Sequence, residues 1–146
     1  MAEGAPAVYW DSSAVLAGLT DDPRQALARS WLALPSVHCL SSLAVAESAA
    51  VLERLRRDGL LTRAQCSRLH RRLGGSPWRP LRLAAGTELM VALARRCSLR
   101  GADLWHLATA RSLADALSGT VLFTFDRALA AAAAGEGLAV ASDATG

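Results

Sequence analysis

The nine residues VYWDSSAVL, positions 8–16, decide how this chain reads. Val8, Tyr9 and Trp10 are good strand formers, and the strand they propose, residues 7–10, runs straight into Asp11. Two serines and an apolar run follow. Two roles fit that aspartate. Asp and Ser favour helix N-termini, so Asp11 or Ser12 can cap the helix SSAVLAGL at 12–19. Ligands of open parallel α/β sheets also sit outside the carboxyl ends of the strands, where an acid is well placed to bind a metal. The stretch alone leaves both roles open.

Outward from it, strand and helix patterns alternate. Short strands are expected at 36–41 (SVHCLS), 78–83 (WRPLRL), 120–125 (TVLFTF) and 138–141 (LAVA). Pro80 cannot donate a ladder hydrogen bond and puts the second of these at an edge. Helices are expected at 24–34 behind Pro23, at 43–57 capped by Ser42, and at 63–73 opened by Thr62. Others follow at 88–99 capped by Thr87, at 102–117, and at 126–137. This alternation implies a parallel sheet covered on both faces. No repeat or linker interrupts it, so one domain is expected over residues 1–146, with a frayed C-terminal SDATG.

Composition removes several function classes. All 16 basic residues are arginine, so the lysine of a phosphate-binding G-x-x-x-x-G-K-[ST] loop or of a Schiff base is missing. A net charge of +3 permits nucleic acid as a partner without singling it out. Cys39, Cys66 and Cys97 are scattered, without a C-x-x-C pair, and read as reduced thiols of a cytoplasmic protein rather than a zinc motif. No apolar run approaches the roughly 20 residues of a membrane span, and the N-terminus MAEGAPAVYW lacks the basic and apolar regions of a signal peptide.

Most carboxylates have ordinary explanations. Asp115 can pair with Arg111, Glu53 lies near Arg56 and Arg57, Asp58 precedes a glycine turn, and Asp21 and Asp22 lie in a turn with Pro23. Four stand apart. Asp11 and Asp126 both follow strands and so fall at the same edge of a parallel sheet. Glu47 shares its helical face with Leu43, Ala44, Ala50 and Val51, with no arginine to pair with. It either snorkels to water or is compensated from elsewhere. Asp103 opens a helix after Gly101, where an N-cap role would also suffice. If the fold gathers these four, their repulsion calls for a hard divalent cation, and all-oxygen ligation suits Mg2+ or Mn2+.

VYWDSSAVL, SSLAVAESAAVL, RGADLWHLATA and FTFDRAL occur in the order and spacing found in PIN-domain ribonucleases. Over residues 7–141 the chain resembles the single-domain VapC-type toxins of bacterial toxin–antitoxin pairs. That resemblance implies a three-layer α/β/α sandwich around a parallel sheet of four or five strands. It maps the family's catalytic, metal-binding acids onto Asp11, Glu47, Asp103 and Asp126. Ser13 matches the small hydroxyl residue two after the first aspartate, and Thr124 the hydroxyl residue two before the last. His106 matches a position often held by histidine, although a lone histidine on a helix also reads as ordinary packing. The resemblance further implies an RNA substrate, a cognate antitoxin and a homodimer.

The reaction expected is metal-dependent hydrolysis of an RNA phosphodiester, with no covalent enzyme intermediate. Nine arginines between Arg54 and Arg82 either guide RNA or simply solvate two helices. A haloacid-dehalogenase-like phosphatase using Asp11 as nucleophile is the alternative enzyme, but it wants an acid where Ser13 stands and a lysine this chain lacks. A non-catalytic binding module of the same fold is the other alternative.

Overall fold

The computed structural model describes residues 6–142. The extreme ends of the expected domain, including most of SDATG, lie outside the described residues. Five strands form one sheet in the order β3-β2-β1-β4-β5, all parallel: β1 (Ala7–Trp10), β2 (Val37–Ser41), β3 (Trp78–Leu81), β4 (Val121–Phe123) and β5 (Ala139–Ala141). Seven helices connect them: α1 (Ser12–Leu19), α2 (Gln25–Leu32), α3 (Ser42–Arg57), α4 (Arg63–Leu73), α5 (Thr87–Arg96), α6 (Gly101–Ala116) and α7 (Arg127–Gly135).

The central strand explains the layering. Successive side chains of a strand point to opposite faces. Val8 and Trp10 therefore enter one core with Leu40 and Phe123, beneath α1 to α4. Ala7 and Tyr9 enter the other with Cys39 and Leu122, beneath α5 to α7. All four β1 residues are fully buried, as a parallel strand covered on both faces requires. Trp10 stacks on Phe123 with ring centroids 4.8 Å apart, and its indole N–H donates to His38 Nδ1 at 3.1 Å. The expected three-layer α/β/α sandwich is what the chain forms, with β3 and its Pro80 at the edge. Among the described residues no helix is long and apolar enough to cross a membrane.

Several boundaries differ from those read in the sequence. Strand β4 stops at Phe123, because the Thr124 side chain turns the chain toward α7 by accepting from the Asp126 N–H. Ser41 rather than Ser42 caps α3, accepting from Ala44 N at 3.1 Å. Helix α5 begins at Thr87 itself, behind Gly86. Thr62 does open α4, in a reciprocal capping box with Gln65.

In this strand order β1 lies between β2 and β4. Connections run to either side of it, which makes the carboxyl ends of β1 and β4 a topological switch point, the place where open α/β sheets leave a crevice.

Candidate active site

Asp11 leaves β1 at that switch point and is buried. The capping role expected of it is present. Its Oδ1 accepts from Ala14 N at 3.0 Å, capping α1, and from the Ser13 hydroxyl at 2.7 Å. Its Oδ2 accepts from the Thr124 hydroxyl at 2.6 Å. The two hydroxyls are themselves held from the β4–α7 junction. Ser13 Oγ accepts from Phe125 N at 2.9 Å, and Thr124 Oγ1 from Asp126 N at 3.0 Å. Ser13 and Thr124 thus clamp the Asp11 carboxylate from both sides and tie one strand end to the other. Burial pushes the Asp11 carboxyl above its ordinary range, and these hydrogen bonds counter it in part.

Asp126 caps α7 through Leu129 N at 2.9 Å and is half-buried. Asp103 does not cap. Helix α6 begins two residues earlier, at Gly101 behind Arg100, so Asp103 lies inside its first turn with no cap to make. The N-cap explanation of this residue is therefore withdrawn. Its carboxyl is pushed up first by burial and then by the charge of Asp126, with smaller contributions from Asp11 and Glu47; His106 acts in the opposite sense. The charges of Asp126, Asp11 and Glu47, each from a different connection, thus reach the Asp103 carboxyl.

Glu47 reaches this group from α3. Its side chain is 30% exposed, and Oε1 lies 2.6 Å from His106 Nε2. His106 is fully buried, and its Nδ1 lies 2.6 Å from the Tyr9 hydroxyl. Burial pushes the Tyr9 phenol far up, so it stays protonated and can donate to Nδ1. That leaves the Nε2–H to donate to Glu47, the tautomer that satisfies all three groups. The partnerless packed histidine of the sequence reading is corrected: His106 holds Glu47 in place. Tyr9 was missed altogether, since nothing local marks one strand tyrosine as the support of a histidine on α6.

The arrangement offers carboxylate oxygens on rigid strand and helix ends, with no thiol or amine among them. Both Asp11 oxygens are engaged by hydroxyls, a poor setting for the covalent nucleophile of the phosphatase alternative.

A family model, the PIN domain, matches residues 8–135. Among curated proteins none matches the chain. Several solved structures share the fold. A protein of Pyrobaculum aerophilum is 23% identical, with 93% of this chain and 90% of that one covered at a TM-score of 0.66. The sarcin-ricin-loop-cleaving VapC toxin of Mycobacterium tuberculosis is 17% identical, with 86% and 94% covered at 0.60. FitAcB from Neisseria gonorrhoeae is 20% identical, with 91% and 95% covered at 0.59. Matched by that family model from its first strand to its last helix, the chain belongs to the PIN-domain family, a family of nucleases.

Proposed function

We propose that this chain is a metal-dependent endoribonuclease, acting as the toxin of a type II toxin–antitoxin pair. The observation that supports the nuclease reading is the placement of Asp11 and Asp126 at the joined carboxyl ends of β1 and β4, with Asp103 on α6 feeling the charge of Asp126. The donors fit a hard divalent cation: they are all oxygen, and their mutual repulsion is what such an ion relieves. Asp11, Glu47, Asp103 and Asp126 would hold Mg2+ or Mn2+. When bound, that ion supplies Lewis acidity toward a phosphodiester and toward water.

The chain's own residues supply positioning. Ser13 and Thr124 fix both oxygens of Asp11, and His106, braced by Tyr9, fixes Glu47. Asp103, in the first turn of α6 beside Asp126, completes the acidic set from the far connection. Arg54, Arg57, Arg63, Arg68, Arg71, Arg72, Arg79 and Arg82 are exposed and give the RNA backbone a cationic path, while Arg56 is half-buried against Glu53. The toxin role is supported by likeness to the VapC toxin; the antitoxin and the homodimeric state follow from the resemblance of the four sequence motifs to VapC-type toxins.

The test is RNA cleavage by the purified chain. Cleavage with Mg2+ or Mn2+, stopped by chelation and lost in Asp103→Asn, is the expected outcome. Cleavage indifferent to chelation, or retained at the parent rate by Asp103→Asn, would overturn the reading.

A further inference from the structure

A second group of metal-ligating side chains lies away from the sheet edge, where α3 packs on α4. Cys66 and His70 stand four apart on α4 and so share one face. Glu53, in the fourth turn of α3, meets that face from across the turn between the helices. Glu53 Oε2 lies 2.8 Å from Cys66 Sγ and 3.4 Å from His70 Nε2, and Sγ lies 3.4 Å from that nitrogen. The Cys66 residue is 2% exposed, whereas the side chains of Glu53 and His70 are 38% and 34% exposed. A cleft lined by these three with Arg56, Arg63 and Ser67 leads to solvent.

We propose that Glu53, Cys66 and His70 form a binding site for a borderline-soft divalent ion, Zn2+ in nature, separate from the carboxylate cluster. Three observations support it. The donors are one sulfur, one imidazole nitrogen and one carboxylate oxygen, the set that tetrahedral zinc accepts and that Mg2+ does not seek. Zinc bonds of about 2.0–2.3 Å place neighbouring tetrahedral ligands about 3.3–3.7 Å apart. Two of the three edges are already 3.4 Å. The short third edge is the one bridged by the thiol proton, which is donated to Glu53. Binding releases that proton to solvent and forms the sulfur–metal bond, so the edge opens as the proton leaves. The charges also balance, since thiolate and carboxylate together neutralise a divalent ion. Arg56 Nε sits 3.2 Å from the other Glu53 oxygen, Oε1, and 3.4 Å from Oε2, and it can keep the former. The open side toward the cleft leaves a fourth position for water.

Such an ion would staple α3 to α4, the two helices that carry Arg54, Arg57, Arg63, Arg68, Arg71 and Arg72. It would set the spacing of that cationic surface without touching the carboxylate cluster. Nothing in this depends on the nuclease reading.

The experiment uses the full chain, with millimolar Mg2+ present to occupy the carboxylate cluster, titrated with Co2+ as a spectroscopic stand-in for Zn2+. The expected result is a thiolate-to-cobalt charge-transfer absorption that saturates at one equivalent and is displaced by Zn2+. Cys66→Ser should abolish it, and His70→Ala should weaken Co2+ binding by roughly tenfold or more, as loss of a ligand does. His70 is partly exposed, so its variant keeps the test decisive should Cys66→Ser fail to fold. Asp11→Asn should leave the band unchanged. Absence of a thiolate band, or a band that survives either α4 substitution at full affinity, would overturn the proposal.

Discussion

The carboxylate cluster and the Glu53–Cys66–His70 cluster are two answers to the same problem of concentrating polar donors in a small domain. The first is assembled by topology. Asp11, Glu47, Asp103 and Asp126 come from four separate connections, and only the strand order unites them. The second is assembled by locality, from two consecutive helices joined by a short turn. The difference appears in their electrostatics. In the first, burial pushes Asp11 and Asp103 up, and like charge adds to the effect at Asp103. In the second, the Cys66 thiol and His70 stabilise the Glu53 carboxylate and hold it down to about 2. In the first the Asp103 carboxyl is met by like charges, while in the second thiol, imidazole and carboxylate are hydrogen-bonded to one another.

The largest expected effect breaks the two apart. Asp103→Asn should lower RNA cleavage by more than about 100-fold, since even the outer partners of metal ligands are worth roughly 10–100-fold. Circular dichroism and cobalt binding at Cys66 should not change. The converse variant, Glu53→Gln, should leave cleavage near the parent rate and disturb cobalt binding. Equal losses of cleavage in both would merge what the structure separates.

The next prediction sharpens how the first cluster is held. His106→Phe keeps a ring of similar size but removes both nitrogens, freeing Glu47 and leaving the buried Tyr9 hydroxyl only its long 3.5 Å contact to Ser41 Oγ. Stability should fall by about 1–3 kcal/mol, and cleavage by roughly 10–100-fold. Adding Tyr9→Phe removes that hydroxyl, so denaturation midpoints should recover while cleavage does not. Recovery of both would make His106 a packing residue only.

Metal linkage is smaller and differs between the clusters. Mg2+ at a hundred times its dissociation constant should stabilise the fold by about 2.7 kcal/mol. Asp11→Asn should reduce that gain and Cys66→Ser should not, as read by thermal unfolding. Melting curves unmoved by Mg2+ or Mn2+ would count against the carboxylate site.

The smallest effect is in pH. Asp11 and Asp103 hold their protons more tightly folded than unfolded, so the folded state binds more protons above their ordinary value of 3.8. The stability they contribute is present below that pH and is lost as pH rises through their raised folded values. Glu53 runs the other way. Its folded value lies below the ordinary 4.5, so its contribution is present above 4.5 and is lost as pH falls toward about 2. In metal-free protein, Asp103→Asn should flatten the first limb of the stability profile and Glu53→Gln the second. A profile in which either variant changes the opposite limb would contradict these assignments.

The same contrast explains what could be read from the sequence. Asp11 and Asp126 were legible because a strand running into an acid is a local pattern, and parallel topology then places both at one edge. Asp103 was legible as a candidate, but its supposed cap was not real. Helix α6 starts on the carbonyl of Arg100, which accepts from Leu104 N at 2.9 Å with no capping side chain to announce it. The chain through Tyr9, His106 and Glu47 crosses three elements and leaves no spacing to detect. Glu53 was explained by Arg56, a pairing that is present and yet incomplete. Cys66 and His70 show helical spacing, but their third partner arrives only when α3 folds back on α4.

The central place of β1 also fixes an order in time. Strand β1 is made before β4, the strand its carboxyl end must meet, and Thr124 and Asp126 emerge more than a hundred residues after Asp11. Until then the nascent chain carries Asp11 without its Thr124 clamp and without the fourth acid. A growing polypeptide of this topology therefore holds its Asp11 carboxylate through Ser13 and the Ala14 N–H alone. The junction of β1 with β4 is complete only when synthesis has passed residue 126.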